Sequence, residues 1–200
     1  MADWLGPDRA EAACDRILDA AADLFAQRGV ESVGMNDIAR AAGCSRATLY
    51  RYFENREALH TAYVHRHARI VNRQIAELVD GVSDPRERLL SALVNALRLV
   101  RENPALSAWF TRTSAGAEAA EGSGVVQSMT AGFLLSVDHE DMAAAQRRAR
   151  WLVRVLTSLL TVPGRGAEDE RAMLAEFVVP LILPKAGTKG SAPGPISLPR

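Results

Sequence analysis

The stretch "CSRATLYRYFENREAL", residues 44–59, decides how this chain is read. It crowds a serine, arginines, a threonine and two tyrosines around a few apolar side chains. At 100° per residue, Leu49 and Phe53 share one face of a short helix ending at Phe53, and Ala47, Thr48 and Arg51 lie opposite. Tyr50 and Tyr52 flank that outer face, Arg46 projects near the start, and Ser45 is placed to cap the first turn. Just upstream, "MNDIARAAG" turns Ile38 and Ala42 inward and stops at Gly43. Two short helices joined by "AGCS" read as a helix-turn-helix, whose second helix lies in a DNA major groove. The chemistry agrees: an arginine fork fits guanine N7 and O6, threonine and alanine methyls meet thymine, and tyrosine hydroxyls and arginines reach phosphates.

Working outward, residues 9–28 place Ile17, Ala21 and Leu24, with Leu18 and Phe25, on one side of a first helix closed by Gly29. After "ENR" a long helix is expected from about 56 to 79, then a turn at Asp80, Gly81, Ser83, Asp84 and Pro85. Further helices are expected near 85–102, 104–113, 123–136, 139–162 and 167–183. No strand pattern competes, so the fold class is all-α. Residues 185–200, rich in Pro, Gly and Ser, have almost nothing to bury and read as a disordered tail.

With 200 residues, 48% hydrophobic and 24% charged, the chain has ample material for a core, and its formal net charge of zero excludes a general polycation. Charge is focused instead: Arg40, Arg46, Arg51 and Arg56 are opposed only by Glu54 within 40–56, leaving that stretch at +3. Cys14 and Cys44 lack metal or disulfide spacing. The longest strongly apolar run, Phe177 to Leu183, is too short to span a bilayer, and the acidic start lacks a secretory signal's pattern. A soluble cytoplasmic protein without membrane contact is expected. His60, His65 and His67 are poorly spaced for one metal and read as a solvated basic surface. Neither a metal nor a cofactor is expected.

Residues 16–59, with "ILDAA", "DIARAAGCS" and "TLYRYFENREAL" in order, resemble the N-terminal domain of the TetR family of bacterial transcriptional regulators. The resemblance implies an all-α homodimer with a three-helix DNA-binding domain (1–56) and a larger helical domain for ligand binding and dimerisation (57–184). It implies a repressor of a palindromic operator, released by a small apolar or amphipathic effector. Carried over by position, Arg46, Ala47, Thr48 and Arg51 stand where members contact bases. Tyr50, Tyr52 and Arg56 stand at phosphate-contacting positions, Asn36 where some members touch DNA, and Ser45 completes the candidate set. Two residues depart from the pattern: Gly34 replaces the usual Ser or Thr cap of the second helix, and Cys44 replaces a frequent Val.

In such proteins the last two amphipathic helices form a four-helix bundle with a symmetry mate. That makes Leu152, Val155, Leu156, Leu159, Leu160, Leu174, Phe177, Val178 and Leu181 the candidate dimer seam. Tyr63, Trp109, Phe110, Met129 and Phe133 are candidate ligand-pocket residues. Two rival readings are an adaptor that kept the fold without binding DNA, and a helical enzyme. The exposed arginine face argues against the first, and the absence of a P-loop or G-x-S-x-G motif against the second.

Overall fold

The computed structural model describes residues 7–111, 115–138 and 141–183, and every regular element among them is helical. The tail expected at 185–200 lies outside the described residues. In order come α1 (Pro7–Arg28), a 3-10 turn (Val30–Ser32), α2 (Met35–Ala41), α3 (Arg46–Tyr52), α4 (Arg56–Leu78) and α5 (Pro85–Glu102). Then follow α6 (Pro104–Thr111), α7 (Ala115–Gly122), α8 (Gly124–Val137), α9 (Met142–Thr161), α10 (Ala167–Met173) and α11 (Val179–Ile182).

Local chemistry sets most boundaries. The carboxylate or amide oxygens of Asn55, Asp84 and Asp141 accept backbone N–H bonds at 2.7 to 2.8 Å, starting α4, α5 and α9. Ser123 caps α8 in the same way. Gly29 leaves α1 at φ 79, a left-handed conformation that favours glycine. Between α10 and α11, Leu174–Val178 widens into a π turn in which Val179 N–H reaches back to Leu174 O. Pro180 explains it, because proline has no N–H to donate and its ring crowds the preceding carbonyl ladder.

Two apolar cores result. The first joins Ile17, Ala21, Phe25, Ile38, Leu49, Phe53, Leu59 and Tyr63 to Ala105, Leu106 and Trp109 of α6. The second joins α5, α8, α9 and the C-terminal helices around Leu89, Ala149, Leu152 and Leu174, and Val100 and Phe110 pack against both. A part-buried ion pair pins the end of α9. Arg101 donates to both carboxylate oxygens of Glu170, at 2.6 and 2.8 Å, and to Leu159 O, while Gly164 N–H also binds Glu170. Glu170 is 3% exposed.

Candidate DNA interface and interior cavity

The turn before α3 is closed by backbone alone. Gly43, at φ 65, donates to Arg40 O, and Cys44 N–H reaches Ala39 O, the paired bonds of a Schellman ending. Ser45 then caps α3, its Oγ accepting from Thr48 N–H at 3.0 Å and lying 2.8 Å from the Thr48 hydroxyl. At the start of α2, Gly34 supplies no side-chain cap, and Asp37 instead accepts the Gly34 N–H at 3.2 Å.

With both ends fixed, α3 buries Leu49 and Phe53 and exposes Arg46, Ala47, Tyr50 and Arg51, while Thr48 and Tyr52 are half-buried. Arg46 lies over the Tyr50 ring at 5.3 Å and Arg51 over Tyr52 at 5.2 Å, so each guanidinium is braced on an aromatic face. Asn36 is exposed on α2. A seven-residue helix is about 10 Å long and fits a groove about 12 Å wide.

Arg56 is placed otherwise than expected. Its guanidinium donates to Val30 O at 2.6 Å and Glu31 O at 3.2 Å, tying α4 to the 3-10 turn. Half-buried, it commits its Nη2 to two carbonyls of the scaffold.

Two of the three histidines also depart from the solvated surface expected. His67 is buried, and His60 meets Phe25 and Trp109 edge-on at 5.5 and 4.9 Å. Burial, with Arg56 beside His60 and Arg66 beside His67, pushes both imidazoles down to about 4. Both are neutral at physiological pH.

Beside this aromatic group, α4 to α9 line a half-open cavity of about 180 Å³. Of the five candidate pocket residues, Trp109, Phe110 and Met129 line it. Tyr63 and Phe133 do not: Tyr63 stacks flat on Trp109 at 5.4 Å inside the first core, and Phe133 packs on the second core under Arg88. The wall includes His67, Val71 and Ile75 from α4 and Val153, Leu156, Thr157 and Leu160 from α9, none among the pocket candidates. Their signal was present as an apolar stripe, but a stripe does not say which of its residues edge a void.

The expected dimer seam is divided. Leu152, Leu174 and Val178 are closed within their own chain's core, and Leu156 and Leu160 face the cavity, so these five do not form an open surface. Val155 and Leu159 are half-buried, whereas Phe177 and Leu181 are 60% and 65% exposed, and Trp151 on α9 and Val162 just after it are exposed too.

Residues 17–63 match the model of the bacterial regulatory proteins of the tetR family. An HTH-type transcriptional regulator of Mycobacterium tuberculosis is 56% identical over 197 residues, covering 96% of this chain and 98% of that protein. The chain belongs to the TetR family. It is thus a DNA-binding helix-turn-helix transcriptional regulator, and members of the TetR family are regulators rather than enzymes. Solved TetR-family structures share the fold. The repressor AlkX of a Dietzia species superposes with a TM-score of 0.62 at 23% identity, covering 84% of this chain and 95% of that one. RolR in complex with resorcinol superposes with a TM-score of 0.65 at 22% identity, covering 84% and 86%. Among the described residues no helix is long and apolar enough to cross a membrane.

Proposed function

We propose that the chain is a homodimeric repressor of a palindromic operator, released when a small apolar or amphipathic molecule enters the cavity. Residues 1–56 read DNA, and 57–184 bind the effector and the second copy. The observation that carries this reading is the outer face of α3, where Arg46, Ala47, Tyr50 and Arg51 are exposed above buried Leu49 and Phe53. An adaptor has no use for such a face. In a two-fold dimer, paired reading helices enter major grooves about one turn, roughly 34 Å, apart or a multiple of it. Phe177, Leu181, Val155 and Leu159 form the surface left for the second copy.

The test is binding to DNA upstream of the protein's own gene, and to single-base variants of the retarded fragment, at several salt concentrations. Arg51→Ala is expected to cost about 1 to 3 kcal/mol on the cognate site and to flatten preference at one base pair per half-site. Unchanged affinity and preference across all fragments would remove α3 as the reader.

A further inference from the structure

The last two helical arms carry opposite charge. α9 holds four arginines and no acid, whereas the terminal arm, residues 167–182 from α10 through α11, holds four acids and one arginine. Part of this charge is spent within the chain: Arg148 donates to Ile182 O, Glu170 takes Arg101, and Arg171 pairs with Glu87. What stays outward is Arg147, Arg150 and Arg154 on α9, and Glu168, Asp169 and Glu176 on the terminal arm, all exposed. Arg154 also reaches Glu121 at 3.2 Å, and Asp169 accepts the Arg165 N–H at 3.2 Å. Among the described residues no salt bridge joins the outward arginines to the outward acids. The three arginines and exposed Trp151 line a surface groove of about 310 Å³, with Glu121 and Gln127.

The two sets match in spacing. Arg147 and Arg154 are seven residues apart, and Glu168 and Glu176 eight, about 10 and 12 Å along a helix. Within one chain α9 and the terminal arm run antiparallel, since Arg148 near the start of α9 binds Ile182 O, and Arg101 joins Leu159 O near its end to Glu170. Arg147 and Glu168 therefore stand at opposite ends of the pair. A two-fold axis crossing the middle of the pair at right angles turns the second copy's arm end for end. It sets the second copy's Glu168 and Asp169 level with Arg147 and Arg150, and its Glu176 level with Arg154. An axis parallel to the helices sets Arg147 level with the second copy's Leu181 instead, and leaves the acids without arginines. Laying α9 on the second copy's α9 brings together two arginine-bearing, acid-free helices, which repel.

Resting on the reading of the protein as a homodimer, we infer that the outward arginines of each α9 seat against the outward acids of the other copy's terminal arm, so that charge fixes which helix faces which and in what direction. The arrangement is self-complementary, each contact being made twice about the two-fold axis. Exposed ion pairs are individually weak and screened by salt, so they govern orientation and partner choice, while Phe177 and Leu181 supply apolar area.

Charge exchange in the full chain, read by sedimentation, tests this. One variant carries Arg147→Glu with Arg154→Glu, the other Glu168→Arg with Glu176→Arg. Each alone is expected to dimerise roughly tenfold more weakly than the wild type, because like charges then face each other on both sides of the axis. An equimolar mixture is expected to recover the dimer, since one side of the mixed pair has exchanged charges and the other is unaltered. All four changes in one chain are expected to recover it as well. A milder pair, Arg147→Gln with Arg154→Gln, keeps the test open if a reversed chain fails to fold. Raising salt from about 50 to about 500 mM is expected to weaken the wild-type dimer several-fold and this milder variant much less. A mixture of folded variants no more dimeric than its components, equal salt dependence in wild type and the milder variant, or reversed variants that each dimerise as the wild type would overturn the inference. The last result is what a groove serving a free anion would give. A wild-type chain that sediments as a monomer would overturn the homodimer reading itself and this pairing with it, whereas a dimeric wild type with insensitive variants overturns the pairing alone.

Discussion

Arg51 and Arg56 are five residues apart and chemically identical, yet they do different work. Arg51 is exposed and braced on Tyr52, while Arg56 holds Val30 O and Glu31 O. Removing Arg56 strands a part-buried carbonyl, so Arg56→Ala is expected to destabilise the fold by about 1–3 kcal/mol, read from urea unfolding. An unchanged midpoint would show that those bonds are replaced by water at no cost. Residues around 44–59 were readable because periodicity and capping are local: Leu49 inward, Arg51 outward and Ser45 at the cap follow from spacing alone. The partners of Arg56 lie 25 and 26 residues earlier in the chain, and no local pattern announces them.

Among the elements, the helices with strong apolar periodicity were found close to their observed ends. The missed one, α7, reads "AGAEAAEG" and has no large apolar side chain from which a 3.6-residue period could be seen. On α4 the error was one of environment. His60, Tyr63 and His67 form one face of that helix, and only the arrival of Trp109 from α6 makes it interior. On the terminal helices, the apolar stripe was visible but its division between own core and open surface was not. Phe177 and Leu181 now define the test of assembly. Phe177→Glu or Leu181→Glu in the second copy's path would bury an unpaired carboxylate, at a cost of several kcal/mol. Sedimentation is expected to show loss of the dimer, and operator affinity is expected to fall with it. If both variants sediment as wild-type dimers, the seam is elsewhere.

For the whole molecule, acid acts through interior groups in two stages. His60 and His67 ionise near 6.5 when unfolded and near 4 when folded. Below pH 6.5 the unfolded chain takes up protons that the folded chain refuses, so stability falls as pH drops from about 6.5 to 4 and does not change with these groups above it. Glu170 follows. Hydrogen bonds from Arg101 hold its carboxyl below the ordinary 4.5, so its contribution is full above that value and is lost as pH falls through the lowered one. Unfolding measured against pH should therefore lose the upper stage in His60→Phe and His67→Phe. Glu170→Gln should lose the lower stage and begin about 1–3 kcal/mol less stable, because it weakens the hydrogen bonds to the partly exposed Arg101. A wild-type profile flat between pH 6.5 and 4 would contradict the interior placement of the two imidazoles.

The cavity beside Trp109 also has a meaning in volume. Its apolar walls hold water poorly, and whatever part of the roughly 180 Å³ stays dry is space that the folded chain holds and the unfolded chain gives back, adding to the volume lost on unfolding. Compression therefore works against the empty molecule, and an occupant that fills the void removes that vulnerability. Since Trp109 is at once a wall of the void and a neighbour of Phe25 on α1, 5.6 Å between rings, the compressible part of the protein abuts the helix that supports its DNA-facing end.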